Sequence, residues 1–121
     1  MTITLNHTIV PAKDKNASAD FFARMFGVPR LPALGHFAPV RVNDTLTLDF
    51  DERGNFEHHH YAFHVSDEEF DAIFKRVLDA GLTYWSEPTS KGDMKINTRH
   101  GGRGVYFADP NGHSLELLTR P

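Results

Sequence analysis

The strand and helix signals of this chain run through twice, and that repetition limits the folds open to it more than any other feature. TITLNHTIV (Thr2 to Val10) is rich in β-branched residues and stops at Pro11, which predicts a strand. In KNASADFFARMFG, Ala19, Phe22 and Phe26 recur at helical spacing and Gly27 supplies a stop. GHFAPVRV (Gly35 to Val42) reads as a short strand whose Pro39 suggests an edge or a bulge. Thr45 to Phe50 alternates as a half-buried strand. The pattern then restarts. His59 to Val65 is a strand, and SDEEFDAIFKRVLDAG is the clearest helix, with Ser66 and Glu69 spaced as a capping box. Its apolar stripe is Phe70, Ile73, Phe74, Val77 and Leu78, and Gly81 ends it. LTYWSEP, RGVYFA and HSLELLT are further strands, the last two joined by the DPNG turn.

The order is β-α-β-β, then β-α-β-β-β. A very short missing strand near Pro29 to Leu34 would complete the first half. The fold class is therefore α+β, with paired modules of about 1–52 and 58–121 in a single domain of residues 1–121. One helix covers one face of each sheet, leaving the other faces to form a cup. An unrelated α+β sandwich is the competing fold.

Alternation along strands decides which side chains enter that cup. EHHHYAFH (Glu57 to His64) holds four of the eight histidines. Tyr61, Phe63 and Val65 form the apolar set under a helix, so His60, Ala62 and His64 face the cup. His58 and His59 are read as bystanders. On the last strand Leu115 and Leu117 face the helix while Ser114, Glu116 and Leu118 face the cup. A carboxylate in the middle of such a strand is costly without a partner. His7 occupies the place in the first half that His60 occupies in the second. Taken singly, each histidine reads as an ordinary strand residue. Together, His7, His60 and Glu116 make a set of two imidazoles and one carboxylate, suited to Fe(II), Mn(II), Ni(II) or Zn(II). Asp49 is the counterpart of Glu116 in the first half and a candidate fourth ligand.

Composition removes several function classes. There is no cysteine, so neither disulfides nor thiolate ligands are available. A formal charge of -3 argues against nucleic acid as the main partner. No apolar run approaches the roughly 20 residues that span a bilayer, and MTITLNHTIV lacks an export pattern, so a cytoplasmic location is expected.

LNHTIV, a helix ending FG, HYAFHV, AGL and GGRGVYFADPNGHSLELL together resemble the vicinal oxygen chelate superfamily. Its members include glyoxalase I, extradiol dioxygenases, fosfomycin-resistance thiol transferases and bleomycin-resistance proteins. The resemblance spans nearly the whole chain and is most specific at YFADPNGHSLEL. It implies a glyoxalase-like pair of βαβββ modules forming a metal-binding cup, a small-molecule substrate and a homodimer. The family's ligands map to His7, His60 and Glu116, with a fourth at or near Asp49. Glu116 would also serve as proton-transfer base. Acid-base roles would fall to His64 and to Tyr106, which alternates with Val105 and Phe107 and so faces the cup. Ile9 stands where fosfomycin enzymes place a substrate-facing threonine, and their basic phosphonate set is missing, which disfavours that activity.

The loop Lys91 to Arg103 is rich in cations and is expected either as a solvated mobile loop or as a lid for an anionic substrate. Arg103 is the member expected to reach the cup, and His36 is a further candidate substrate contact. The function expected is a metal-dependent enzyme of the glyoxalase or dioxygenase type, with lyase or isomerase chemistry on an oxygen-chelating substrate. The alternatives are a one-domain extradiol dioxygenase and an antibiotic-sequestering protein without catalysis.

Overall fold

The structure, a computed structural model, describes residues 2–121. Met1, where the expected first module begins, lies outside them. The chain forms two compact units, one ending at Glu57 and one running His58–Pro121.

The first unit contains β1 (His7–Ala12), α1 (Lys15–Phe26), β2 (Ala38–Arg41) and β3 (Thr47–Glu52). The sheet order is β1-β3-β2, with β1 parallel and β2 antiparallel to β3. Asp14 starts α1 by accepting a hydrogen bond from the Ala17 N–H at 3.0 Å. Gly27, at φ 67°, ends it in the left-handed conformation that glycine adopts without cost. Ala19, Phe21, Phe22 and Met25 are buried. The Phe22 ring lies 6.3 Å from Phe50, so Leu48 and Phe50 form the helix-facing side of β3 and Asp49 and Asp51 the open side. The strand expected near residue 30 is reduced to a bridge: Arg30 pairs with Val40, and the Leu31 N–H donates to the Pro39 carbonyl at 3.0 Å.

The first strand differs from expectation at both ends. It begins at His7 instead of Thr2, because β3 begins at Thr47, opposite His7, and offers residues 2–5 no ladder. It also continues through Pro11 to Ala12. β1 is an edge strand, so the missing Pro11 N–H leaves no neighbour unsatisfied.

The second unit contains β4 (His60–His64), α2 (Asp67–Asp79), β5 (Tyr84–Trp85), β6 (Gly104–Ala108) and β7 (Ser114–Leu118), in the order β4-β7-β6-β5. The capping box forms as read: the Glu69 N–H donates to the Ser66 hydroxyl at 3.1 Å, and the Ser66 N–H to the Glu69 carboxylate at 2.8 Å. Phe70, Ile73 and Val77 are buried, and each contributes about 1.5–3 kcal/mol of burial energy. Leu78, expected in the same stripe, is 48% exposed and lies outside it. Among the described residues no helix is long and apolar enough to cross a membrane.

The cationic loop is tied down rather than loose. The Asp93 carboxylate accepts from the Ser86 N–H at 3.0 Å, the Ser86 hydroxyl at 2.5 Å and the Lys95 N–H at 3.0 Å. The Ser86 hydroxyl is the main reason its carboxyl sits below the usual carboxylate range. Asn97 and Gly104 exchange backbone hydrogen bonds at 2.8 and 3.0 Å, and a short 3-10 turn, Arg99–Gly101, follows.

Candidate active site

β4 and β7 are parallel neighbours, with His60 opposite Ser114 and Ala62 opposite Glu116. His60 and Glu116 are thus diagonal neighbours on the open face. The small Ala62 beside Glu116 leaves room for the imidazole to lean across. The His60 Nε2–H donates to Glu116 Oε1 at 2.9 Å. The Glu116 side chain is only 12% exposed and the His60 side chain 50%, so the carboxylate is sunk and the imidazole caps it.

β6 continues the row. Tyr106 pairs with Glu116 on one side and with Trp85 on the other. Its ring centre lies 5.6 Å from that of His60. Arg99, from the 3-10 turn, donates to the Tyr106 hydroxyl at 3.0 Å and brings the same guanidinium nitrogen within 3.9 Å of Glu116 Oε2. Glu87 holds the other end of the guanidinium. Burial, with the Glu116 charge adding to it, raises the Tyr106 phenol above its ordinary value despite the opposing Arg99. The phenol therefore stays protonated near neutral pH and acts there as a donor.

His7 belongs to the first unit, at the start of β1. Its Nδ1–H donates to Asn6 Oδ1 at 2.8 Å, which leaves Nε2 with a free lone pair. His7 and Asp49 both line a largely apolar groove of about 510 Å³, walled by Leu31, Pro32, Leu34 and Pro39. Ile9 is beside Asp49 on the same open face and is 41% exposed.

Several expected contacts lie elsewhere. Arg103 points to the helix side. It donates to Asp71 at 2.7 Å and Asp67 at 3.1 Å, and its guanidinium carbon lies 4.4 Å from the centre of the Phe70 ring. Arg99 is the loop cation beside Glu116. His64 is four residues along β4 from His60, about 13 Å at strand rise, and its Nε2–H donates to the Thr119 carbonyl at 3.2 Å. The structure does not bring it to Glu116. His36 is exposed and stands 3.6 Å from Asp51 Oδ1, at the opposite end of β3 from Thr47 and His7. His59, read as a bystander, is structural: its N–H donates to Nδ1 of the fully buried His113 at 2.8 Å. The Tyr61 hydroxyl, pushed up to about 12 chiefly by burial, donates to His59 Nδ1 at 2.6 Å.

Does the donor set fit a divalent cation? Two donors at 2.0–2.2 Å from one ion, at right angles, are about 3 Å apart. His60 Nε2 and Glu116 Oε1 have that spacing already. Replacing the shared proton by a cation keeps that spacing and requires the exposed His60 ring to turn its Nε2 lone pair off the line to Glu116. Among the described residues no three His, Asp or Glu side chains are placed to hold one metal ion, and this pair is the part of the expected triad found at ligand spacing.

The comparisons with known proteins agree with this architecture. A family model described as the Glyoxalase/Bleomycin resistance protein/Dioxygenase superfamily matches residues 4–117. The chain is 29% identical over 124 residues to glutathione transferase FosA of Serratia marcescens, covering 97% of this chain and 81% of that protein. It is 52% identical to the solved structure of oxidase ChaP-H2, covering 100% of this chain and 96% of that one, with a TM-score of 0.92. For oxidase ChaP-H1 the identity is 47%, the coverage 99% and 98%, and the TM-score 0.91. With a family match over nearly its whole length and the same two-helix, mixed-sheet fold, the chain belongs to the Glyoxalase/Bleomycin resistance protein/Dioxygenase superfamily.

Proposed function

We propose that this protein is a divalent-metal-dependent oxidase acting on a small substrate with neighbouring oxygens, with dioxygen as the oxidant. The observation that carries the proposal is the His60–Glu116 pair at ligand spacing in a chain 52% identical to an oxidase. The metal ligands in this reading are His7, His60 and Glu116, and the working form is a homodimer. When bound, the cation supplies a Lewis acid that draws two substrate oxygens into one coordination sphere.

The chain's own residues define the rest of the chemistry. Asn6 fixes the His7 tautomer so that Nε2 faces outward as a donor. Arg99 sets a positive charge beside Glu116 and holds the Tyr106 phenol in place. Tyr106, protonated and buried in the sheet face, donates a hydrogen bond to an oxyanion developing beside Glu116. Glu116 is the proton acceptor nearest that oxygen. Ile9 presents no hydroxyl to the open face, which supports oxidation over the thiol transfer of the FosA relatives.

The test uses protein purified without a histidine tag, stripped with chelator and reloaded separately with Fe(II), Mn(II), Ni(II) and Zn(II). Oxygen uptake with a catechol is then followed. The expected result is stoichiometric metal and uptake with a redox-active metal, both lost in His60→Ala and Glu116→Gln. Absence of bound metal under every loading condition, or uptake that survives His60→Ala, overturns the proposal.

A further inference from the structure

The groove in the first unit carries information about the substrate that the His60–Glu116 pair does not. Its walls are Leu31, Pro32, Leu34 and Pro39, and its volume of about 510 Å³ lies in the range that holds drug-sized ligands. Four polar residues line it, Asn6, His7, Thr47 and Asp49, and Asp49 is the only one whose side chain is an anion. His7 is at the exposed start of β1. Asp49 is only 7% exposed, yet its carboxylate makes no hydrogen bond or ion pair with another described residue. Asp51, two residues along on the same face, is equally buried but is engaged by Arg53 at 2.9 Å.

A largely buried carboxylate with no protein donor is an acceptor held ready for whatever occupies the space beside it. No described residue supplies that donor to Asp49, and its carboxylate opens onto the groove, so the donor is water or a ligand seated there. The first unit holds the same diagonal that joins His60 to Glu116: His7 is opposite Thr47, and Asp49 is two residues further on. Aspartate is one methylene shorter, and no hydrogen bond joins it to His7. Its oxygens are left to whatever enters the groove.

We propose that Asp49 is a substrate-binding residue that accepts a hydrogen bond from a hydroxyl on an apolar ring system seated in the Leu31–Pro39 groove, so that the substrate class is a hydrophobic phenol or enol. Its assignment as the substrate rests on the oxidase reading above. A cationic amine fits less well, because the groove has no Phe, Tyr or Trp face for the charge and Asp49 is its single anion. A free anion fits least, since it would meet Asp49 directly.

The test is binding of 2-naphthol and 2-methoxynaphthalene to chelator-treated, metal-free protein, followed by ligand fluorescence. Wild type should bind 2-naphthol more tightly than its methyl ether. Asp49→Leu should weaken 2-naphthol by about 10- to 100-fold, the loss of a hydrogen bond to a charged acceptor, and leave the ether within a factor of a few. Asp49→Asn keeps one acceptor oxygen and the shape, so it should fall between them and report on any folding defect in the leucine variant. Equal binding of the two naphthalenes by wild type, or equal loss of both in Asp49→Leu, overturns the assignment. So does a normal loading of metal in wild type that is lost in Asp49→Asn, which would make Asp49 a ligand. Because binding is read without metal, a failed oxidase assay leaves this result standing, and the reverse holds as well.

Discussion

Asn6→Ala is the most direct probe of whether His7 is a metal ligand. In the structure Asn6 Oδ1 accepts the His7 Nδ1–H at 2.8 Å. Removing such an orienting partner typically costs about 10- to 100-fold in metal affinity. Both side chains are exposed, so water replaces the lost acceptor, and the penalty should fall at the lower end, about tenfold or ~1.4 kcal/mol. Asn6→Asp offers a charged acceptor in the same place and should bind at least as tightly as wild type. Affinity is measured by competition with a chromogenic chelator for Zn(II), on protein without a histidine tag. A double-mutant cycle completes the test: Asn6→Ala should have no further effect in a His7→Ala background. If Asn6→Ala alone leaves affinity unchanged while His7→Ala abolishes it, the tautomer argument is wrong. If Asn6→Ala still costs tenfold without His7, the residue acts by another route.

The two loop arginines should behave oppositely. Arg103→Met removes ion pairs to the exposed Asp67 and Asp71, worth about 0–1 kcal/mol each, and keeps an apolar chain over Phe70. It should lower the melting temperature slightly and leave oxygen uptake intact. Arg99→Met removes the charge beside Glu116 and releases Tyr106, so kcat/KM should fall about 10- to 100-fold with the fold unchanged by circular dichroism; the reverse pattern would restore Arg103 to the site. The half-buried Tyr61 lowers stability at alkaline pH. Its phenol is raised from 10.0 to about 12. Below the unfolded value both states are protonated and nothing changes with pH. Between the two values only the unfolded chain loses the proton, so stability falls as pH rises, by at most about 1.4 kcal/mol per pH unit and by less once solvent screening of the half-exposed ring is counted. Denaturant titrations of wild type and Tyr61→Phe should diverge in that window and run parallel below it; parallel curves throughout would show that the phenol is not raised.

Strand parity made the centre of the site legible from sequence. Glu116 sits between the buried Leu115 and Leu117, and His60 between a surface turn and Tyr61, so each could face only the open side. The same parity places Arg103 wrongly for the cup, because it shares a side with Val105 and Phe107. That signal was present in the sequence and was outweighed by the loop's charge. His64 shares the parity of His60 and stands two residues past Ala62 as His60 stands two before it, but its ring turns to the Thr119 carbonyl instead of to Glu116. Arg99 had no such signal. It reaches Tyr106 and Glu116 only because Asp93 and Asn97 fold the loop back onto β6, and those bonds join residues with no common periodicity. The apolar groove was hidden for a similar reason, since Leu31 to Leu34 carry neither helix nor strand spacing.

The two halves of the chain use one local arrangement for two purposes. Each has a parallel strand pair with a histidine opposite a small hydroxyl residue, Thr47 or Ser114, and an acid two positions further along. In the second unit the acid is glutamate, long enough to meet its histidine at 2.9 Å, the spacing of two ligands on one cation. In the first unit the acid is aspartate, and a single methylene decides the difference. The backbone register is the same, but the carboxylate stops short of His7 and stays buried beside an apolar groove. A cation site needs donors that converge, whereas a binding site for a hydroxyl needs an acceptor left unused. In the roles proposed above, one repeat with a one-carbon difference supplies both, and metal loading of Asp49→Asn separates a substrate acceptor from the fourth ligand that sequence symmetry suggests.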